Sequence, residues 1–138
     1  YVLELSSFQL DGMVDFRPSI AAVLNITADH LDRYEYNQDL YANSKVSIAK
    51  SQRLNDRLLV LADQQVIAPA LRRQKIDTQI TTISPEDVRG AGIFVDGYEF
   101  SLGDGQLRGR HNALNALFAV RIAPVPYIHL RAHATPDH

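Results

Sequence analysis

Apolar residues occur along this chain in short runs, with polar residues at their ends. Residues 2–5 (Val-Leu-Glu-Leu) predict a short strand, and the nearly continuous run implies burial on both faces. Residues 20–26 (Ile-Ala-Ala-Val-Leu-Asn-Ile) predict the clearest buried strand, with Asn25 as its polar exception. Residues 57–62 (Arg-Leu-Leu-Val-Leu-Ala) predict a third strand closed by Asp63, and residues 79–83 predict a fourth. Residues 6–16 read as a loop broken by Asp11-Gly12, and residues 17–19 as a connector. Residues 27–34 read as a turn in which Thr27 or Asp29 can cap a short helix. Residues 38–51 predict a helix, because Tyr41, Lys45, Ile48 and Ala49 share one face. Residues 65–74 predict another, which Pro69 should break or restart.

The pattern changes after Ser84-Pro85-Glu86-Asp87, a turn with capping character. Residues 93–95 and 98–100 flank Asp96-Gly97 and predict a hairpin, and Gly103-Asp104-Gly105 predicts a further turn. Gly109 precedes a helix over residues 112–122, with Leu114, Leu117, Phe118 and Ile122 as its apolar face. Pro124 and Pro126 end that pattern, and residues 123–138 are expected to be a divergent, poorly ordered tail beyond a domain at 1–122. Strands separated by helices imply an α/β fold: a mostly parallel sheet flanked by helices, with a small β-hairpin region near residues 91–108. Ligands of such sheets collect beyond the carboxyl ends of the strands, where Glu4 and His30 are expected to lie.

Composition narrows the function classes. A length of 138 residues suits about one domain, and 46% hydrophobic content is enough for a core. A net charge of −2 gives no bulk attraction to nucleic acid or acidic membranes. The absence of cysteine excludes disulfides, zinc-thiolate sites and a cysteine nucleophile. No apolar run approaches the roughly 20 residues of a membrane span, and no signal peptide opens the chain. The chain begins at Tyr1 inside an apolar run, without an initiator Met, so a fragment of a longer protein is expected.

The candidate chemistry starts from a carboxylate inside an apolar run. Glu4 is a hard oxygen ligand suited to Mg²⁺, or a carboxylate paired with an arginine. His30 offers an imidazole nitrogen or a cap. Lys45 interrupts an apolar stripe. Either its stem packs while its head reaches water, or burial disfavours its charge and leaves a nucleophilic amine able to take up carbon dioxide as a carbamate. Ser6, Ser7 and Gln9 suit hydrogen bonds to a polar substrate, or turn chemistry. Asn112 and Asn115 share a helical face and can read a purine edge, or Asn112 is a plain cap. His129 and His133 have the spacing of a helical metal pair, in a Pro-flanked tail that argues against it.

Taken together, residues 3–10 (Leu-Glu-Leu-Ser-Ser-Phe-Gln-Leu), 24–34 (Leu-Asn-Ile-Thr-Ala-Asp-His-Leu-Asp-Arg-Tyr), Lys45 and 109–115 (Gly-Arg-His-Asn-Ala-Leu-Asn) resemble the central domain of the Mur ligases in order and spacing. The Ser-Ser-Phe-Gln-Leu after the glutamate resembles the D-glutamate-adding branch. The resemblance spans roughly residues 1–122, with Ala28 where Pro is common.

It implies an ATP-dependent ligase of peptidoglycan synthesis that adds D-glutamate to UDP-muramoyl-alanine through an acyl phosphate. It implies two Mg²⁺ ions, one on Glu4 and one on His30 and a carbamylated Lys45. It implies ATP contacts from His111, Asn112 and Asn115, and muramoyl-substrate contacts from Ser6 and Gln9. The full-length enzyme is expected to be a cytoplasmic monomer acting on small molecules, without nucleic acid or membrane partners. The family's glycine-rich phosphate loop is expected ahead of Tyr1, with a UDP-binding domain before it and a D-glutamate-binding domain after the central one. The 138 residues alone are therefore expected to be inactive. Two alternatives remain open: another Mur-type or folylpolyglutamate-type ligase, or a non-catalytic nucleotide- or metal-binding remnant.

Overall fold

A computed structural model describes residues 1–26, 31–102 and 109–123, together with the short strand His133–Ala134. The chain divides into two compact units, Tyr1–Thr82 and Ile83–His138.

The first unit is built on a three-stranded parallel sheet of order β1-β2-β3, from Ile20–Val23, Arg57–Leu61 and Gln79–Ile83, whose last residue opens the second unit. Position in the sheet explains each strand's composition. The central β2 buries Leu58, Leu59, Val60 and Leu61, because it has neighbours on both edges and covering groups on both faces. The outer β1 alternates instead: Ala21 and Val23 are buried and Ile20 is exposed. Registered pairs in a parallel ladder project to one side, so Ala21 with Leu58 and Val23 with Val60 build one face. Two helices complete the core on that face, α2 (Gln38–Val46) with Tyr41, Ala42 and Val46, and α3 (Ile67–Arg73) with Ile67 and Ala70. Ala42 and Ala70 have no exposed surface, and their small side chains let the two helices approach closely.

The strands are laced together at their amino ends. Arg17 donates from Nε and Nη2 to the two carboxylate oxygens of Asp56, at 2.8 and 3.3 Å. Gln52 Nε2 donates to the carbonyls of Pro18 and Arg57. Thr78 Oγ1 donates to the Asp56 carbonyl just before β3. The Arg17 guanidinium and the Arg53 N–H hold the Asp56 carboxyl below the usual carboxylate range, against an opposing effect of burial.

Several expectations from the sequence are corrected here. Residues 2–5 form no strand: they pair with no described strand, and Tyr1, Val2 and Leu3 are exposed, as is Glu4. An apolar run is buried only where a neighbouring strand satisfies its backbone, and β1 pairs only with β2 among the described residues. Residues 6–16 are not simply a loop, since Ser7–Asp11 form a helix, α1. The helix at residues 38–51 ends its α-helical part at Val46 and continues as a 3₁₀ turn, Ser47–Ala49. Pro69 neither breaks nor restarts its helix, because α3 begins at Ile67. That puts Pro69 in the first turn, where its missing N–H has no helical partner to lose.

The second unit pairs β4 (Val88–Arg89), β5 (Gly92–Val95), β6 (Tyr98–Ser101) and β7 (His133–Ala134) in an antiparallel sheet in that order. Asp96 and Gly97 both have positive φ, 51° and 79°, as a two-residue hairpin turn requires. Helix α4 (Arg110–Ile122) buries Ala113, Leu117 and Phe118 and packs on β5, where Ile93 and Val95 are buried. Arg121 reaches Asp87 at 4.0 Å and Asp96 at 3.4 Å. The turn expected at residues 103–105 and nearly all of the tail after residue 123 lie outside the described residues.

Candidate functional site

Helix α2 sets the position of Lys45. Asn37 caps its start by accepting from the N–H groups of Asp39 and Leu40, and Lys45 falls in its last turn between buried Ser44 and Val46. The stem is half-buried, and the ammonium lies 5.6 Å from the ring centroid of Tyr41, one turn earlier. Burial pushes the Lys45 pKa below the usual lysine value, while the negative charge of Glu4 pulls it back up. The structure thus brings Glu4 and Lys45 within electrostatic reach of each other. Glu4 is exposed and makes no hydrogen bond or ion pair with any described residue. Its place beside Lys45 therefore does not come from burial in a strand.

Ser6 and Gln9 are brought together by a capping box. Ser6 Oγ accepts from the Gln9 N–H at 3.3 Å, and Gln9 Oε1 accepts from the Ser6 N–H at 2.8 Å. Each side chain satisfies a backbone donor at the start of α1.

His30 lies outside the described residues, as do Thr27, Ala28 and Asp29. The approach to it is described: the Ile26 N–H donates to Gln64 Oε1 at 2.9 Å, tying the exit from β1 to the loop after β2. His111, Asn112 and Asn115 belong to the second unit, near the start of α4. His111 is exposed and the two asparagines are half-buried. Gly109, at φ 89°, occupies the cap position, so Asn112 is not the cap. His129 lies outside the described residues.

A polar cluster that no local sequence signal marks forms around Ser44, the residue before Lys45. Tyr34 Oη donates to Asp11 Oδ2 at 2.9 Å, and Ser44 Oγ lies 2.6 Å from Asp11 Oδ1, 3.1 Å from the Ser7 carbonyl and 3.1 Å from Tyr34 Oη. The Tyr34 ring stacks on Phe8 at 6.1 Å, and the Arg33 guanidinium lies 4.2 Å from the Phe8 centroid. A cleft of about 380 Å³ opens beside this cluster, lined in part by Asp11, Arg33, Tyr34, Ser44 and Lys50. The Ser6-x-x-Gln9 signature of the cap was readable in the sequence. The Tyr34–Ser44–Asp11 cluster joins three separate elements and left no local signal.

Among the described residues, no group of three His, Asp or Glu side chains is placed to hold a metal ion. The chemistry of Glu4 and Lys45 nonetheless fits a hard cation. Glu4 is an exposed carboxylate with no hydrogen bond or ion pair among the described residues, and burial shifts Lys45 in the direction of the neutral, carbon dioxide-reactive amine.

Residues 1–123 match the Mur ligase middle domain. The chain belongs to the Mur ligase family. It is 36% identical over 134 residues to a UDP-N-acetylmuramoylalanine--D-glutamate ligase of Christiangramia forsetii, covering 89% of this chain and 30% of the relative. It is 36% identical over 129 residues to the enzyme of that name in Bacteroides fragilis, covering 86% and 29%. Over 68 residues it is 50% identical to the one in Porphyromonas gingivalis, covering 49% and 15%. The chain thus spans about 30% of the length of the first of these relatives. The Mur ligase fold class expected from the motifs agrees with the parallel sheet, the flanking helices and the small antiparallel sheet. No described helix is long and apolar enough to cross a membrane.

Proposed function

We propose that the protein acts in the ATP-dependent joining of D-glutamate to UDP-N-acetylmuramoyl-L-alanine in peptidoglycan synthesis. The observation that carries this reading is the half-buried Lys45 amine faced by the Glu4 carboxylate, within a chain whose relatives bear that ligase name. The alanine carboxylate attacks the γ-phosphorus of ATP, the bond to the bridging oxygen breaks, and ADP leaves. The D-glutamate amine then attacks the carbonyl carbon of the acyl phosphate, loses a proton, and phosphate departs with the C–O bonding pair.

Carboxylate and triphosphate repel each other, and Mg²⁺ supplies the charge neutralisation that lets them meet. Glu4 is suited to hold one ion. Lys45, as a carbamate, is suited to hold a second together with His30. Helix α2 contributes by keeping the Lys45 amine partly desolvated, which favours carbon dioxide uptake. Asn112 and Asn115, on one face of α4, with His111 beside them, are suited to the adenine edge. Ser6 and Gln9 stand beside Glu4 in sequence and serve the muramoyl substrate only with whatever hydrogen-bonding capacity their mutual cap leaves.

The full-length protein acts in this reading as a cytoplasmic monomer, with residues 1–122 as part of its ATP-binding domain. The 138 residues alone are inactive, since the relatives are more than three times as long. The test is ADP release by the full-length protein with UDP-muramoyl-alanine and D-glutamate, compared with other amino acids. D-glutamate-dependent ADP release is expected. Equal rates with another amino acid, or none with D-glutamate, would overturn the assignment, and ligation by the 138 residues alone would overturn their inactivity.

A further inference from the structure

Helix α1 has five residues, too short to hold its place by its own hydrogen bonds. The segment before it pairs with no described strand. Among the described residues, the position of Glu4 therefore depends on what holds α1. Besides buried Leu10, the polar anchor is Ser44, the residue just before Lys45, whose one hydroxyl proton goes to Asp11 at the end of α1 while its oxygen lies 3.1 Å from the Ser7 carbonyl at the start. Tyr34 adds a second hydroxyl on the other Asp11 oxygen and a ring stacked on Phe8. The Ser6–Gln9 cap carries the constraint one residue further toward Glu4. The two hydroxyls have one proton each, and Asp11 accepts on both oxygens, so the cluster closes on its carboxylate.

We propose that Tyr34, Ser44 and Asp11 are positioning residues that fix the Glu4 carboxylate opposite Lys45 and thereby set the affinity of the site for a divalent cation. The inference rests on the reading of Glu4 as a cation ligand. A contact that merely stabilised the fold would shift melting alone. A positioning contact shifts metal affinity as well, as the outer partners of metal ligands do.

The experiment is Mn²⁺ binding to the full-length protein, read by electron paramagnetic resonance alongside the thermal midpoint. Tyr34→Phe keeps the stacked ring and removes one hydroxyl. Ser44→Ala removes the other, and Ser44→Thr restores it. Tyr34→Phe and Ser44→Ala are each expected to weaken Mn²⁺ binding by about tenfold, with recovery in Ser44→Thr. In a Glu4→Gln background, Tyr34→Phe is expected to add nothing further. If Glu4→Gln leaves Mn²⁺ affinity unchanged, Glu4 is not a ligand and the inference falls with that assignment. If Glu4→Gln weakens binding while Tyr34→Phe and Ser44→Ala lower only the thermal midpoint, the positioning role alone is overturned.

Discussion

The charge of Glu4 opposes the burial of Lys45: one holds the ammonium in its protonated form and the other drives it toward the neutral amine. Burial is the larger effect, so Lys45 titrates below an ordinary lysine. Between the two values the unfolded chain keeps a proton that the folded chain has lost, so raising the pH through that window favours folding. With ¹³C-labelled bicarbonate, a carbamate signal from Lys45 is expected at lower pH than from an ordinary exposed lysine. Glu4→Gln should move its onset lower still. An onset at the ordinary position in the native protein would show that burial does not tune this amine.

The Ser6–Gln9 box makes a stability prediction. Ser6→Ala should cost about 1 kcal/mol in urea unfolding. Gln9→Ala should add little once Ser6 has been replaced, because the two side chains serve one cap. An unchanged unfolding midpoint with weakened muramoyl-substrate binding would instead assign Ser6 to the ligand.

Acid should weaken the lacing at the amino end of the sheet. The Asp56 pKa lies below the ordinary carboxylate value of about 3.9. Its contribution is therefore complete above that value and is lost as the pH falls through the lowered one. Urea midpoints measured from pH ~5 to ~2 should show this loss, and Asp56→Asn should flatten it. The same acid dependence in Asp56→Asn would transfer the effect to other carboxylates.

The hairpin of the second unit depends on Gly97, at φ 79° with no neighbouring atom where a side chain would begin. Gly97→Ala should cost about 1–2 kcal/mol through backbone conformation alone. Gly97→Asn should cost less, because asparagine tolerates that region. A silent Gly97→Ala in chemical denaturation would mean that the turn relaxes.

Strand β2 and the β5–β6 hairpin were legible because each carries a local signature, a Leu-Leu-Val-Leu run or an Asp-Gly between apolar runs. Residues 2–5 misled because their apolar run matches a buried strand, and composition cannot show whether a neighbour exists to pair with it. Glu4 was thus singled out on the expectation of burial, yet it is exposed, and it lies within electrostatic reach of Lys45 without being part of a strand. Lys45 itself was legible as an interruption of an apolar stripe. Choosing between its two readings depends on burial, which periodicity does not encode. The Tyr34–Ser44–Asp11 cluster depends on hydroxyls of ordinary surface-compatible residues meeting across 10 and 33 positions of sequence.

The Arg17–Asp56 bridge also bears on how the chain assembles over time. It joins residues 39 apart, at the mouth of the loop that β1 and β2 must close before they can pair. A hairpin can zip from its turn, but a parallel pair has to wait for this encounter while α2 forms locally within microseconds. Closing the loop has an entropic cost that grows slowly with its length and is incurred before any ladder bond forms. An ion pair at that mouth acts across solvent before the strands touch. It is therefore placed to speed the search for register, and folding of this unit should slow as salt screens the two charges.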